Sequence, residues 1–182
     1  MKHNKSEPEL LLLQPMRIKL LLLLFCMVCC MDIVHAQQIL QGKIVRIADG
    51  DTVTLLDSLN QQHKIRLHGI DCPERHQDFH QVARDYVGEL CYDKQVKVEV
   101  TGKDRYQRIL GKLYLDQQEI NLLLLQQGLA WHYTQFDKSP AYAQAEREAR
   151  LAGLHIWSLK DAMAPWLFRK QKRDRQKSNI TK

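Results

Sequence analysis

Between Ile39 and Ile70 one pattern recurs three times: a short run of apolar and β-branched residues, then a turn. Gly42-Lys43-Ile44-Val45-Arg46-Ile47 runs into Ala48-Asp49-Gly50-Asp51. Thr52-Val53-Thr54-Leu55-Leu56 runs into Asp57-Ser58-Leu59-Asn60. Lys64 to Ile70 follows, with Ile65 and Leu67 facing one way and Arg66 and His68 the other. Period-two alternation closed by Gly, Asp and Asn turns is the signature of half-buried strands. The three runs are expected to form an antiparallel meander.

The periodicity then changes. Phe79, Val82, Ala83, Tyr86, Val87 and Leu90 recur at three and four, which predicts a helix over 77–92. Val96, Val98 and Val100 alternate in a fourth strand, and Ile109 to Leu115 makes a fifth, with Gly111 at a bulge or a close backbone approach. A short apolar helix over 120–127 is expected to end at Gly128. A polar helix over 139–152 has Ser139 as N-cap, Pro140 at its first position and Gly153 at its end. Three strands, a helix and two more strands predict a mainly β, α+β fold: a five-stranded Greek-key barrel of the OB type with about three helices. Barrels of this type commonly bind oligonucleotides.

The ends differ from this body. Leu20 to Met31 is twelve residues without a charge, preceded by Arg17 and Lys19 and stopped by Asp32. That is short of the roughly 20 residues of a membrane span, and it fits the apolar core of a signal peptide over residues 1–36, cut after Ala36. Met16 opens a more typical signal than Met1, so translation is expected to start at either. An uncleaved anchor is the alternative. The last fourteen residues, 169–182, carry seven basic side chains and one acidic, which leaves residues 37–168 with 16 basic and 17 acidic. The net charge of +6 is thus a property of the ends. The stretch is expected to be a flexible tail, without site residues, that holds a polyanion or merely solubilises the chain. Removing the leader takes away Cys26, Cys29 and Cys30 and leaves Cys72 and Cys91. In an oxidising compartment these two form one disulfide or stay as separate buried thiols.

Four charged sites interrupt the body. They are Asp49-Gly50-Asp51, Arg66 within an apolar strand, Asp71-Cys72-Pro73-Glu74 after that strand, and Asp104-Arg105-Tyr106-Gln107-Arg108 between strands. Each alone reads as a turn or a solvated loop. In order they spell DGDTV, R-x-x-x-x-D-x-P-E and D-x-Y-x-R, followed by Gly128-Leu129-Ala130 and Ile156-Trp157-Ser158. This set resembles the thermonuclease family, the calcium-dependent staphylococcal-nuclease-like domains, and the resemblance runs from Ile39 to Ser158.

The resemblance implies roles. Asp51 and Asp71 would be side-chain ligands of Ca2+, with the backbone carbonyl of Cys72 as a third. Glu74 would orient or deprotonate the attacking water. Arg66 and Arg108 would hold the scissile phosphate, Tyr106 would contact a phosphate, and Tyr133 would line the base pocket after a one-residue shift. Many members carry Thr or Ala where Cys72 stands and Gly where Gln107 stands.

These residue types suit that chemistry. Carboxylates and carbonyls suit a hard cation, and guanidinium forks match phosphoryl oxygens in a way that Lys cannot. A carboxylate can take the proton of attacking water. The expected protein is an exported bacterial nuclease, periplasmic or secreted. It is expected to be monomeric and free of the membrane once cleaved, and to act on DNA and RNA with little sequence choice. Two rivals stand beside it. One is a non-catalytic OB module that binds nucleic acid or protein, although such domains characteristically lose the carboxylates or arginines present here. The other is a zinc hydrolase built on His76 and His80 at i and i+4 of the first helix. Trp131, Trp157 and Trp166 are expected in the core.

Overall fold

A computed structural model describes residues 38–180. The leader assigned to residues 1–36 lies outside them. The body opens with β1 (Ile39–Asp49), β2 (Thr52–Leu56) and β3 (Gln62–Leu67), the antiparallel meander that the alternation predicts. A two-residue strand, β4 (Ile70–Asp71), leads to helix α1 (His80–Cys91). Then come β5 (Gln95–Lys103), β6 (Ile109–Leu115), the short β7 (Gln118–Glu119) and α2 (Ile120–Gln126). The short β8 (Trp131–His132), α3 (Pro140–Leu151) and α4 (Pro165–Ile180) complete the described chain.

β1 lies between β2 and β5, β5 pairs with β6, and β6 returns parallel to β3. That last pairing closes the sheet into a five-stranded barrel, the OB architecture. Its interior is filled by alternate residues: Ile44, Val53, Leu55, Ile65, Val98 and Leu113 are fully buried. Gly111 stands where β5 and β6 run closest. A Cβ there would lie 2.7 Å from the Glu99 carbonyl oxygen, so the residue is at a close approach.

α1 caps the barrel with Ala83, Val87 and Cys91, one face at four-residue spacing. It starts three residues later than the periodicity predicts, because His76 (φ 79°) and Phe79 (φ 63°) turn left-handed before it. His76 is therefore not on the helix. The helical i, i+4 pair needed for a zinc site does not form, and His80 Nδ1 instead lies 3.0 Å from the Pro73 carbonyl oxygen. Ser139 caps α3 by accepting from the Tyr142 N–H, as expected.

Of the stretch expected as a flexible tail, residues 169–180 are helical and continue α4 from Pro165. The three tryptophans, expected in the core, are half-buried. Trp131 meets Trp157 and Trp166 edge-on, with ring centroids 4.3 and 5.8 Å apart. No helix among the described residues is long and apolar enough to cross a membrane.

Cys72 and Cys91 are both buried and unbridged. Cys72 packs by Gly50 near Ala83, while Cys91 lies two turns further along α1, about 12 Å at 1.5 Å per residue. Burial pushes the Cys91 thiol up to about 12 and the Cys72 thiol well above its usual value. Both should therefore be inert in the folded state. Protein lacking residues 1–36 is expected to show no fast thiol reaction with a disulfide reagent, and two equivalents after denaturation. A linked Cys72–Cys91 peptide in non-reduced mass spectra would contradict the arrangement.

Candidate active site

The charged residues singled out in the sequence converge because the meander folds them together. β2 begins right after Asp51, and the β2–β3 register pairs Thr52 with Arg66. The Leu67 N–H donates to the Asp51 carbonyl at 2.8 Å, so the first turn and the end of β3 are tied by backbone. Gly50 is needed in that turn, since a Cβ would come within 2.9 Å of Ala83 Cβ and 3.1 Å of Cys72 Sγ. β4 then carries Asp71 into the interior, paired with Trp131 of β8.

Arg66 is the hub. Its NH1 donates to the carbonyls of Leu67 (3.0 Å) and Ile70 (2.9 Å). Its NH2 lies 2.7 Å from Asp71 Oδ1 and 3.2 Å from Asp51 Oδ2. Asp51 is fixed on its other sides by the Cys72 N–H (2.8 Å) and the Thr52 hydroxyl (3.0 Å). One guanidinium nitrogen thus bridges two carboxylates whose side chains are only 9% and 1% exposed. Burial opposes the charge on Arg66, but Asp51 and Asp71 outweigh it and raise its pKa. The carboxylates remain in excess. Burial and the neighbouring Asp51 raise the Asp71 pKa against the pull of Arg169 and Arg66. Asp49 is raised by burial and by Asp51.

Glu74 stands on the loop that leaves Asp71. Its backbone N–H donates to Gln77 Oε1 at 2.9 Å, and Gln77 Nε2 reaches the Met163 carbonyl at 2.9 Å. The Glu74 side chain is 37% exposed, the most open carboxylate of the group that Arg66 and Arg169 pair with.

One member of the cluster was missed in the sequence. Arg169 of α4 lays its fork on Asp71, NH1 to Oδ1 at 3.2 Å and NH2 to Oδ2 at 2.8 Å, and its NH1 meets Glu74 Oε1 at 2.5 Å. The expectation that residues 169–182 contain no site residue is therefore corrected. The only available signal was Pro165-Trp166-Leu167-Phe168, an apolar helix start just before the basic run.

Other expected residues are placed nearby rather than in contact. The parallel pairing of β3 with β6 sets Ile65 beside Ile109 and Arg66 beside Leu110, so Arg108 enters β6 alongside the Arg66 strand. Asp104 shapes the turn, accepting the N–H groups of Tyr106 (2.8 Å) and Arg108 (3.0 Å) and the Arg108 Nε at 2.7 Å. Tyr106 is 65% exposed with Arg105 and Arg108 against its ring. Among the described residues no hydrogen bond or ion pair joins Arg108 to the carboxylates. Tyr133 is stacked face to face on Trp166 of α4, with centroids 4.9 Å apart and planes at 6°.

The donor set suits a hard cation. Asp51 and Asp71 offer carboxylate oxygens close together, and Cys72 brings its backbone to the Asp51 carboxylate. Among the described residues no three acidic, histidine or cysteine side chains form a ready-made metal cage. Such a site would be weak and would rely on carbonyl and water oxygens, as hard-cation sites with few carboxylates do.

The family model described as staphylococcal nuclease homologue matches residues 64–159, a span that includes Arg66, Asp71, Glu74 and Arg108. A protein of Haemophilus influenzae named "uncharacterized endonuclease" is 40% identical over 131 residues, 72% of this chain and 74% of that protein. One of the same name from Escherichia coli is 37% identical over 134 residues, 73% of this chain and 87% of its own. A "micrococcal nuclease" of Shigella flexneri is 37% identical over 142 residues, 71% of this chain and 80% of its own. With a matching barrel, a matching family model and relatives at this identity over most of their length, the chain belongs to the family of staphylococcal nuclease homologues.

Proposed function

We propose that the protein is an exported, calcium-dependent nuclease that hydrolyses phosphodiesters in DNA and RNA with little sequence choice. Nuclease activity as such follows from family membership and from relatives named endonuclease and micrococcal nuclease. The observation that carries the finer reading is the buried pair Asp51–Asp71, bridged by Arg66 within a cluster in which Asp49, Asp51, Asp71 and Glu74 face the two guanidiniums of Arg66 and Arg169. Export is supported by the charge-free run from Leu20 to Met31 behind Arg17 and Lys19.

Asp51, Asp71 and the Cys72 carbonyl would hold a calcium ion, which when bound neutralises a phosphoryl oxygen and helps place water. Arg66 in β3 and Arg108 just before β6 would donate to the equatorial oxygens, where negative charge grows in the transition state, by exchanging acceptors they hold here for phosphoryl oxygens. Water attacks phosphorus. Glu74 accepts its proton, and the bond to the leaving sugar oxygen breaks, that oxygen taking a proton in turn. Tyr106, exposed on its turn, would contact a phosphate, and Tyr133 would line the base pocket. Stacking on a ring tolerates any base, which is consistent with weak sequence choice.

The test is a cleavage assay on supercoiled DNA, linear DNA and RNA, with calcium and with a calcium chelator. Activity is expected with calcium and is expected to vanish in the chelator. Full activity in the chelator overturns the calcium mechanism. Activity on DNA alone removes RNA from the proposal.

A further inference from the structure

α4 occupies the candidate site twice. Its start is anchored: Ala164 is buried, Gln77 holds the Met163 carbonyl, and Trp166 covers the face of Tyr133. Three residues on, hence on the same helical face, Arg169 takes both oxygens of Asp71 and one of Glu74. Beyond it residues 170–179 are all exposed. The first turn of α4 and the Arg169 guanidinium join the helix to the candidate site.

We infer that α4 is a tethered competitor of the site: Arg169 and a divalent cation exclude each other at Asp71, so that cation binding releases Arg169 and loosens the helix. The inference rests on the cation reading of Asp51 and Asp71 proposed above. The physical reason is occupancy. Arg66 NH2 and the two arms of Arg169 take three of the roughly four lone-pair sites of Asp71, the Arg169 charge repels a cation there, and Glu74 shares the same guanidinium. Tethering keeps Arg169 at a high effective concentration, so even an exposed ion pair can compete with a dissolved ion. Trp166 extends the effect to the strand path, because a base cannot stack on the Tyr133 face that the indole covers. Coupling is reciprocal: whatever Arg169 costs the cation, the cation costs the helix contact.

The test is calcium titration by calorimetry on the protein from residue 37 to 182, comparing wild type, Arg169→Gln and Lys170→Gln. The two substitutions remove the same charge, but only the first removes the fork. Arg169→Gln is expected to bind calcium about 10-fold to 100-fold more tightly, within the usual range of intramolecular coupling. Lys170→Gln is expected to stay within about 3-fold of wild type, as a screened surface charge should. An equal gain in both variants reduces the effect to net charge and overturns the inference. So does unchanged or weaker binding in Arg169→Gln. A second measurement needs no variant: amide hydrogen exchange over residues 165–180 is expected to speed up when calcium is added to the wild type. Unchanged or slower exchange there, with calcium bound, overturns the inference alone. If no form binds calcium, or if Asp71→Asn binds as wild type does, the cation reading falls and the inference with it.

Discussion

Arg66→Lys and Arg108→Lys are each expected to lower turnover by ~10²-fold or more, the scale of a lost transition-state donor, but only the first should also unsettle the fold. Both keep a positive charge and lose the planar fork. Arg66 is buried and spends its donors on two carbonyls and two carboxylates. A lysine ammonium cannot reach all four, and each buried acceptor left unmet costs about 1–3 kcal/mol. Arg108 is 30% exposed and pairs with Asp104, a pair worth about 0–1 kcal/mol. Its variant should melt like the wild type. Glu74→Gln, with a side chain open to solvent, should fold normally and lose ~10²–10⁴ in turnover if it takes the water proton. Single-turnover rates on linear DNA beside urea denaturation curves separate the two effects. Near-normal rates in all three folded variants would remove these residues from the site.

The contrast between the two arginines shows what the sequence could and could not convey. An Arg in an apolar strand faces solvent or a partner anion, and the DGD turn and the D-x-P-E loop supply carboxylates of the right sign. What joins them is long-range: the Thr52–Arg66 register and the Leu67–Asp51 backbone bond. Alternation predicts the meander and hence that register. Arg108 lies near Arg66 only through the parallel closure of β3 on β6, which follows from the barrel and not from any local pattern.

The helix in the C-terminal segment is not legible in the sequence for a definite reason. A helix is recognised by an apolar face at helical period. From Arg169 to Asn179 α4 is polar on all sides, and residues 170–179 are all exposed. Its contribution is one charged side chain in the first turns, and a single Arg in a basic run is indistinguishable from its neighbours. Trp166 is expected in the core because a large aromatic buries much apolar surface. Its stacking on Tyr133 depends on where α4 docks, which no spacing in the sequence specifies.

Asn121 is the other residue that escaped attention, and its loss should be the most damaging to stability. It stands in an otherwise apolar helix, Ile120-Asn121-Leu122-Leu123-Leu124-Leu125, and is completely buried. Its Oδ1 accepts the Leu113 N–H at 3.0 Å, and its Nδ2 donates to the carbonyls of His68 (2.9 Å) and Gly111 (3.3 Å). One amide therefore ties α2 to β6 and to the corner after β3, beside the seam where the barrel closes. Asn121→Leu keeps the volume and removes all three bonds. The Gly111 carbonyl keeps the His68 N–H at 2.8 Å, but the Leu113 N–H and the His68 carbonyl lose the amide; each such group left unmet costs about 1–3 kcal/mol, so a loss of about 3 kcal/mol is expected. That is a large share of the roughly 5–15 kcal/mol that holds a domain folded, and it should lower Tm by ~10 °C. Turnover per folded molecule should suffer far less, because Asn121 touches none of the carboxylates or arginines of the site. Urea denaturation gives the stability change, and activity normalised to the folded fraction gives the other. A variant within about 1 kcal/mol of wild type would mean that water or a backbone shift meets both groups, and that the seam is held by strand pairing alone.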